Sequence, residues 1–149
     1  MSSATTQVHV VPFLGRRYRP TGSDPLKDFA KLCFGLKHNV RISNSLIDMY
    51  SRCGCIDFAR QVFDNMPDRT LVSWNSMIVG FAANGHAEEA LVFFNLMQKE
   101  GFKPDGVSFT GALTACSHAG LVDEGLRFFD NMKRIHKITP RIEHYGWHS

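Results

Sequence analysis

Trp74, Met77, Ile78 and Phe81 fall three or four residues apart, the spacing that gathers apolar side chains on one face of an α-helix. Asn84-Gly85 closes that stripe, since glycine readily takes the left-handed conformation that ends a helix. A second stripe follows through Ala90, Leu91, Phe94 and Met97. Glu88 and Glu89 sit in its first turn, where negative charge suits the helix dipole, and Gly101 and Pro104 end it. The pattern predicts a pair of helices joined by a short turn.

The same pattern occurs three times. Asn44-Ser45-Leu46-Ile47 is matched by Asn75-Ser76-Met77-Ile78, 31 residues on. Gly54, Gly85 and Gly120 follow offsets of 31 and 35, as do the sets Ala59/Ala90/Gly125, Phe63/Phe94/Phe129 and Met66/Met97/Met132. The first copy predicts helices from about Ser43 to Arg52 and from Asp57 to Met66, cut short by Pro67. The third predicts helices from about Ser108 to His118 and from Val122 to Ile135. Leu26 to Leu36 reads as an unpartnered second helix, and Ile142 to Tyr145 as the start of another first helix. The small residues Ala59, Ala90 and Gly125 are expected where helices cross closely, and the repeated Phe and Met residues form the core.

A period between about 20 and 50 residues marks a solenoid, in which function lies on the surface that the stacked repeats share. The fold class is therefore all-α, an α-solenoid of about three full helix-turn-helix repeats. The segments are 1–24 (a leader), 25–39 (a partial repeat), 40–70, 71–105 and 106–141 (repeats) and 142–149 (the start of a truncated repeat). A tetratricopeptide pattern fits poorly, because Trp74 occurs once and the units are unequal in length; the ankyrin signature is absent.

Composition adds limits. The 149 residues suit one domain, and 44% hydrophobic residues with 12 Phe supply a core. No apolar run approaches the roughly 18–20 residues of a membrane-spanning helix. A net charge of +3 permits an anionic partner without requiring one. Cys33, Cys53, Cys55 and Cys116 form no paired CxxC motifs and read as free buried thiols in a reducing compartment. The first 23 residues hold Arg16, Arg17 and Arg19 and no acid, which suits either an organelle transit peptide or a disordered leader.

Val72-Ser73-Trp74-Asn75-Ser76-Met77-Ile78, Gly85-His86-Ala87-Glu88-Glu89-Ala90-Leu91 and Met97 through Asp105 resemble the opening, middle and end of the pentatricopeptide repeat motif. Ala115 through Gly125 is similar to its long variant, and Leu46 through Gly54 to its short one. The unit lengths of 31, 35 and 36 resemble the mixed-length subfamily, found mostly in plant organelles and tied to RNA editing; the match covers about 40–141.

The resemblance implies that each repeat reads one base of single-stranded RNA through two or three side chains. The base-selecting pairs it implies are Asn44 with Thr70, Asn75 with Asp105, and Thr110 with Arg141. Asn with Asp implies uridine over cytidine, Asn44 a pyrimidine and Thr110 a purine; Arg141 departs from the usual partner. Arg41, Val72 and Val107 fall where the family sandwiches each base. At the family's phosphate position stand Arg52, Ala83 and His118, of which only Arg52 keeps a permanent charge. From residue type alone, Asn44 and Asn75 suit helix N-caps equally well.

No catalytic motif is complete. His86-Ala87-Glu88 matches the H-x-E of zinc deaminases, but no CxxC follows it, and Cys53-Gly54-Cys55 lacks a second ligand pair. The chain is thus expected to be a binding module without cofactor or metal. It would act in a mitochondrion or chloroplast, with editing-complex proteins supplying any catalysis in trans. A protein–protein adaptor and a truncated, marginally stable fragment are the alternatives.

Overall fold

The computed structural model describes residues 39–145; the expected leader, the partial repeat up to His38, Cys33 and the last four residues lie outside them. Every regular element among the described residues is an α-helix. The described residues divide into two compact units, which part between Asp68 and Arg69.

In the first unit, α1 (Val40–Arg52) and α2 (Ile56–Asp64) form a hairpin. Leu46, Ile47 and Tyr50 of α1 and Ile56, Ala59, Val62 and Phe63 of α2 are buried. Asn39 caps α1 by accepting a hydrogen bond from the Ile42 N–H at 3.1 Å. Gly54, at φ +77°, turns the chain, and the Cys55 N–H reaches back to the Tyr50 carbonyl at 2.8 Å. A side chain on residue 54 would meet its own carbonyl in this conformation, so glycine stands there.

The second unit holds α3 (Leu71–Ala83), α4 (Ala87–Lys99), α5 (Gly106–Ala119), α6 (Val122–Arg134) and the single turn α7 (Ile142–Tyr145). The hairpins α3–α4 and α5–α6 stack so that α5 packs against α3, α4, α6 and α7. This explains a difference in composition. Helix α5 buries Phe109, Ala112, Leu113, Ala115 and Cys116 around much of its circumference, whereas α6 buries only Gly125 and Met132. A helix enclosed by neighbours is apolar nearly all round; one that lines the outside carries a single apolar stripe. Aromatic rings tie the hairpins together: Phe94 meets Phe109 and Phe128 edge-on at 5.0 Å each, and Trp74 packs on Phe93 and Phe102. Full burial of one such ring is worth roughly 1.5–3 kcal/mol.

Ala59, Ala90 and Gly125 are buried as expected, as are Met66, Met97 and Met132. Phe63 and Phe94 join them, but Phe129 is half-buried, its ring on Tyr145 at 5.2 Å. The first helix of each repeat begins two or three residues before its apolar stripe, because polar capping residues nucleate the first turn. Among the described residues Cys53, Cys55 and Cys116 form no disulfide, yet only Cys116 is buried; the Gly54 turn leaves Cys53 exposed and Cys55 half-buried.

Candidate nucleic-acid interface

The N-cap residues of α1, α3 and α5 are Asn39, Thr70 and Asp105. Asn44 and Asn75 are therefore not caps. Each is the fifth residue of its helix, and Thr110 is the fifth residue of α5. A helix places its fifth residue one turn inward from the end, beside whatever caps a neighbouring helix.

Helices α3 and α5 run side by side in register. Asn75 bonds Ser108, 33 residues on, and Gly111 faces Ile78 at the same offset one turn along. This register carries Asn75 to the N-terminus of α5, where Asp105 sits. The Asn75 Nδ2 donates to Asp105 Oδ1 at 3.0 Å. The same oxygen accepts the Val107 and Ser108 N–H groups, both at 3.1 Å, so the carboxylate also caps α5. Negative charge is favoured there by the aligned peptide dipoles. The Ser108 hydroxyl donates to Asn75 Oδ1 at 2.5 Å and accepts the Asp105 N–H at 3.0 Å. The amide assignment is internally fixed, since a reversed amide would set its oxygen against the carboxylate. Asn75 is 7% exposed, and after these bonds it retains one N–H and one lone pair.

Asp105, Thr110 and Arg141 line one cleft of about 390 Å³, with Val107, Glu143 and His144. The Thr110 hydroxyl donates to the Gly106 carbonyl at 2.9 Å, which leaves Oγ1 as an acceptor only. His144 lies behind it, buried, accepting the Arg141 N–H at Nδ1 (2.8 Å) and donating from Nε2 to the Gly106 carbonyl (2.9 Å). Asn44 is half-buried on α1 of the first unit, and Thr70 is exposed at the start of α3 in the second.

Val72 and Val107 are 58% and 51% exposed, at the second positions of α3 and α5 on either side of Asn75 in sequence register. Arg41 is exposed at the second position of α1. Arg52 pairs with Asp48 at 3.0 Å on the surface, an ion pair worth little in water. His118, at the equivalent place on α5, donates its Nδ1–H to the Ala82 carbonyl at 3.0 Å and so ties α5 to the end of α3. His86 is the N-cap residue of α4, beside Glu89. Among the described residues no three His, Cys, Asp or Glu gather as metal ligands would, and no helix is long and apolar enough to cross a membrane.

Sequence reasoning missed Ser108 and His144. Their signal lay in the repeat: Ser73, Ser108 and His144 are each the third residue of a first helix, and each accepts the N–H of the residue that precedes its helix.

Two-helix hairpins in series define a helical-repeat protein. The sequence matches the PPR repeat family model over residues 69–118 and the PPR repeat model over 42–71 and 107–136. The chain belongs to the pentatricopeptide repeat family. It is 72% identical over 110 residues to a chloroplastic pentatricopeptide repeat-containing protein of Arabidopsis thaliana, covering 74% of this chain and 22% of that relative. A chloroplastic relative from the same plant is 51% identical over 112 residues (75% of this chain, 13% of the relative), and a mitochondrial one 47% over 116 residues (75% and 15%). The chain thus spans less than a quarter of the length of each of these relatives.

Proposed function

We propose that this chain reads single-stranded RNA in a plant organelle, one base per repeat. The observation that supports it best is the Asn75–Asp105 bond at 3.0 Å, which holds an amide with a spare donor and a spare acceptor on a helix pair that exposes Val72 and Val107. A pyrimidine ring lying between Val72 and Val107 would meet that amide with its hydrogen-bonding edge. Uridine is preferred to cytidine in this reading. Asn44 takes a pyrimidine, stacked by Arg41, and Thr110 with Arg141 takes a purine. Guanine suits a site with an acceptor hydroxyl and a guanidinium. With Arg52 alone assigned to phosphate, affinity depends only weakly on salt.

The chain supports RNA processing or C-to-U editing by positioning, as part of a mixed-length array of repeats, and proteins of an editing complex supply the catalysis. Equilibrium binding to oligouridine tests the reading. Asn75→Ala is expected to weaken binding about tenfold, the worth of a good base contact. Unchanged RNA affinity in Asn75→Ala, with protein partners still captured, would favour an adaptor instead.

A further inference from the structure

Ser108 is fully buried and belongs to the hairpin after the one that carries Asn75. Its hydroxyl is committed on both sides. The oxygen accepts the Asp105 N–H at 3.0 Å, and it lies 2.5 Å from Asn75 Oδ1 against 3.1 Å from Asp105 Oδ1, with one proton to give. The nearer acceptor takes it. The Asn75 amide is therefore gripped at both ends, its nitrogen by a carboxylate and its oxygen by a hydroxyl. Flipped, it would press its oxygen on the carboxylate, and its N–H would turn the Ser108 proton away to Asp105 Oδ1, the farther acceptor. Both contacts are buried or partly buried, where mismatched polar groups are costly.

We propose that Ser108 is a specificity-determining positioning residue: it holds the Asn75 amide in one of its two flip states, so the base beside it meets a fixed donor–acceptor order. This rests on the reading of Asn75 as a base selector. Uracil presents acceptor, donor, acceptor along its pairing edge, and cytosine presents acceptor, acceptor, donor. A free amide can turn to suit either; a clamped one cannot. The neighbouring repeat lacks the clamp. There His144 takes the place of Ser108 and bonds the Gly106 carbonyl, to which Thr110 also donates.

The test measures binding of the full chain to oligouridine and oligocytidine, with circular dichroism melts alongside. The other repeats are common to all variants, so a changed ratio reports on this site. Ser108→Ala is expected to lower the uridine-to-cytidine ratio about fivefold, the worth of one neutral hydrogen bond, chiefly by a gain in cytidine binding. Ser108→Thr keeps the hydroxyl and restores the ratio. An unchanged ratio in Ser108→Ala overturns the proposal. So does an equal loss on both oligomers with a lowered melt, which makes Ser108 a helix-capping residue only. Loss of RNA binding in Asn75→Ala beside an unchanged Ser108→Ala ratio defeats this inference alone. RNA binding unaffected by Asn75→Ala defeats the base-reading assignment itself.

Discussion

Replacing Gly111 by alanine tests the packing that brings Asn75 to Ser108. A Cβ at 111 would lie 2.7 Å from the Ile78 Cγ2 and 3.4 Å from the Val79 backbone nitrogen. The first distance is well inside van der Waals contact. Ile78 is fully buried, and its Cγ2 is bonded directly to a branched Cβ with one strongly preferred helical rotamer, so it cannot swing aside. The helices must separate instead. Alanine gains about 1 kcal/mol over glycine in a helix interior. Overpacking of a tight core costs about 1–3 kcal/mol. The net expectation is a loss of about 1 kcal/mol, a drop in Tm of roughly 4–8 °C for a unit of this size. The strain acts one turn from Asn75 and Ser108, so the proposed preference for uridine should fall as well. In an Ile78→Leu background the branched methyl is gone, and Gly111→Ala should become neutral or stabilising. Denaturant unfolding of the four proteins in this cycle gives the coupling, expected at about 1–2 kcal/mol. Stabilisation by Gly111→Ala in the wild-type background, or equal effects in both backgrounds, would refute the argument.

Two further outcomes follow from titrating groups. Burial, and secondarily the nearby Glu124 carboxylate, pushes the Cys116 thiol up to about 11, against the opposing charge of Arg127. Iodoacetamide near neutral pH should thus modify the exposed Cys53 while sparing Cys116 until denaturant is added; mass spectrometry of the native protein showing equal labelling would contradict this. Burial, with the Lys103 charge second, holds His136 below its ordinary value of 6.5, and its ring lies against Phe109. The unfolded chain then binds a proton that the folded one resists, so stability is full above about pH 6.5 and declines as pH falls through that value. The thermal midpoint should drop between about pH 7 and pH 5.5, and His136→Leu should flatten that slope; an identical slope in the variant would assign the effect elsewhere.

Much of this architecture is legible in the order of residues. The stripe through Trp74, Met77, Ile78 and Phe81 is buried throughout. The glycines expected to end helices, Gly54, Gly85, Gly101 and Gly120, all carry positive φ. Helix type and helix ends follow from interactions within a few residues, which a local pattern records. The family resemblance singled out Asn75 and Asp105 together, which the helix register then set 3.0 Å apart. It said nothing of Ser108, whose role in the chain looks like that of any small residue inside a helix. Nor did it tell that Arg52 leans on Asp48, or that His118 holds the Ala82 carbonyl.

By itself the sequence determined the helices, their ends, the repeat and the apolar positions that stack one hairpin on the next. Only the tertiary structure decided which polar atoms meet: that Asn75 is no cap, that Ser108 and Asp105 grip its amide, and that His144 braces Gly106 rather than Thr110. The reason is geometric. Apolar burial needs only the right face at the right spacing. A hydrogen bond between residues 33 apart depends on the register of two helices to within a fraction of an ångström, and that register is set where Gly111 presses on Ile78.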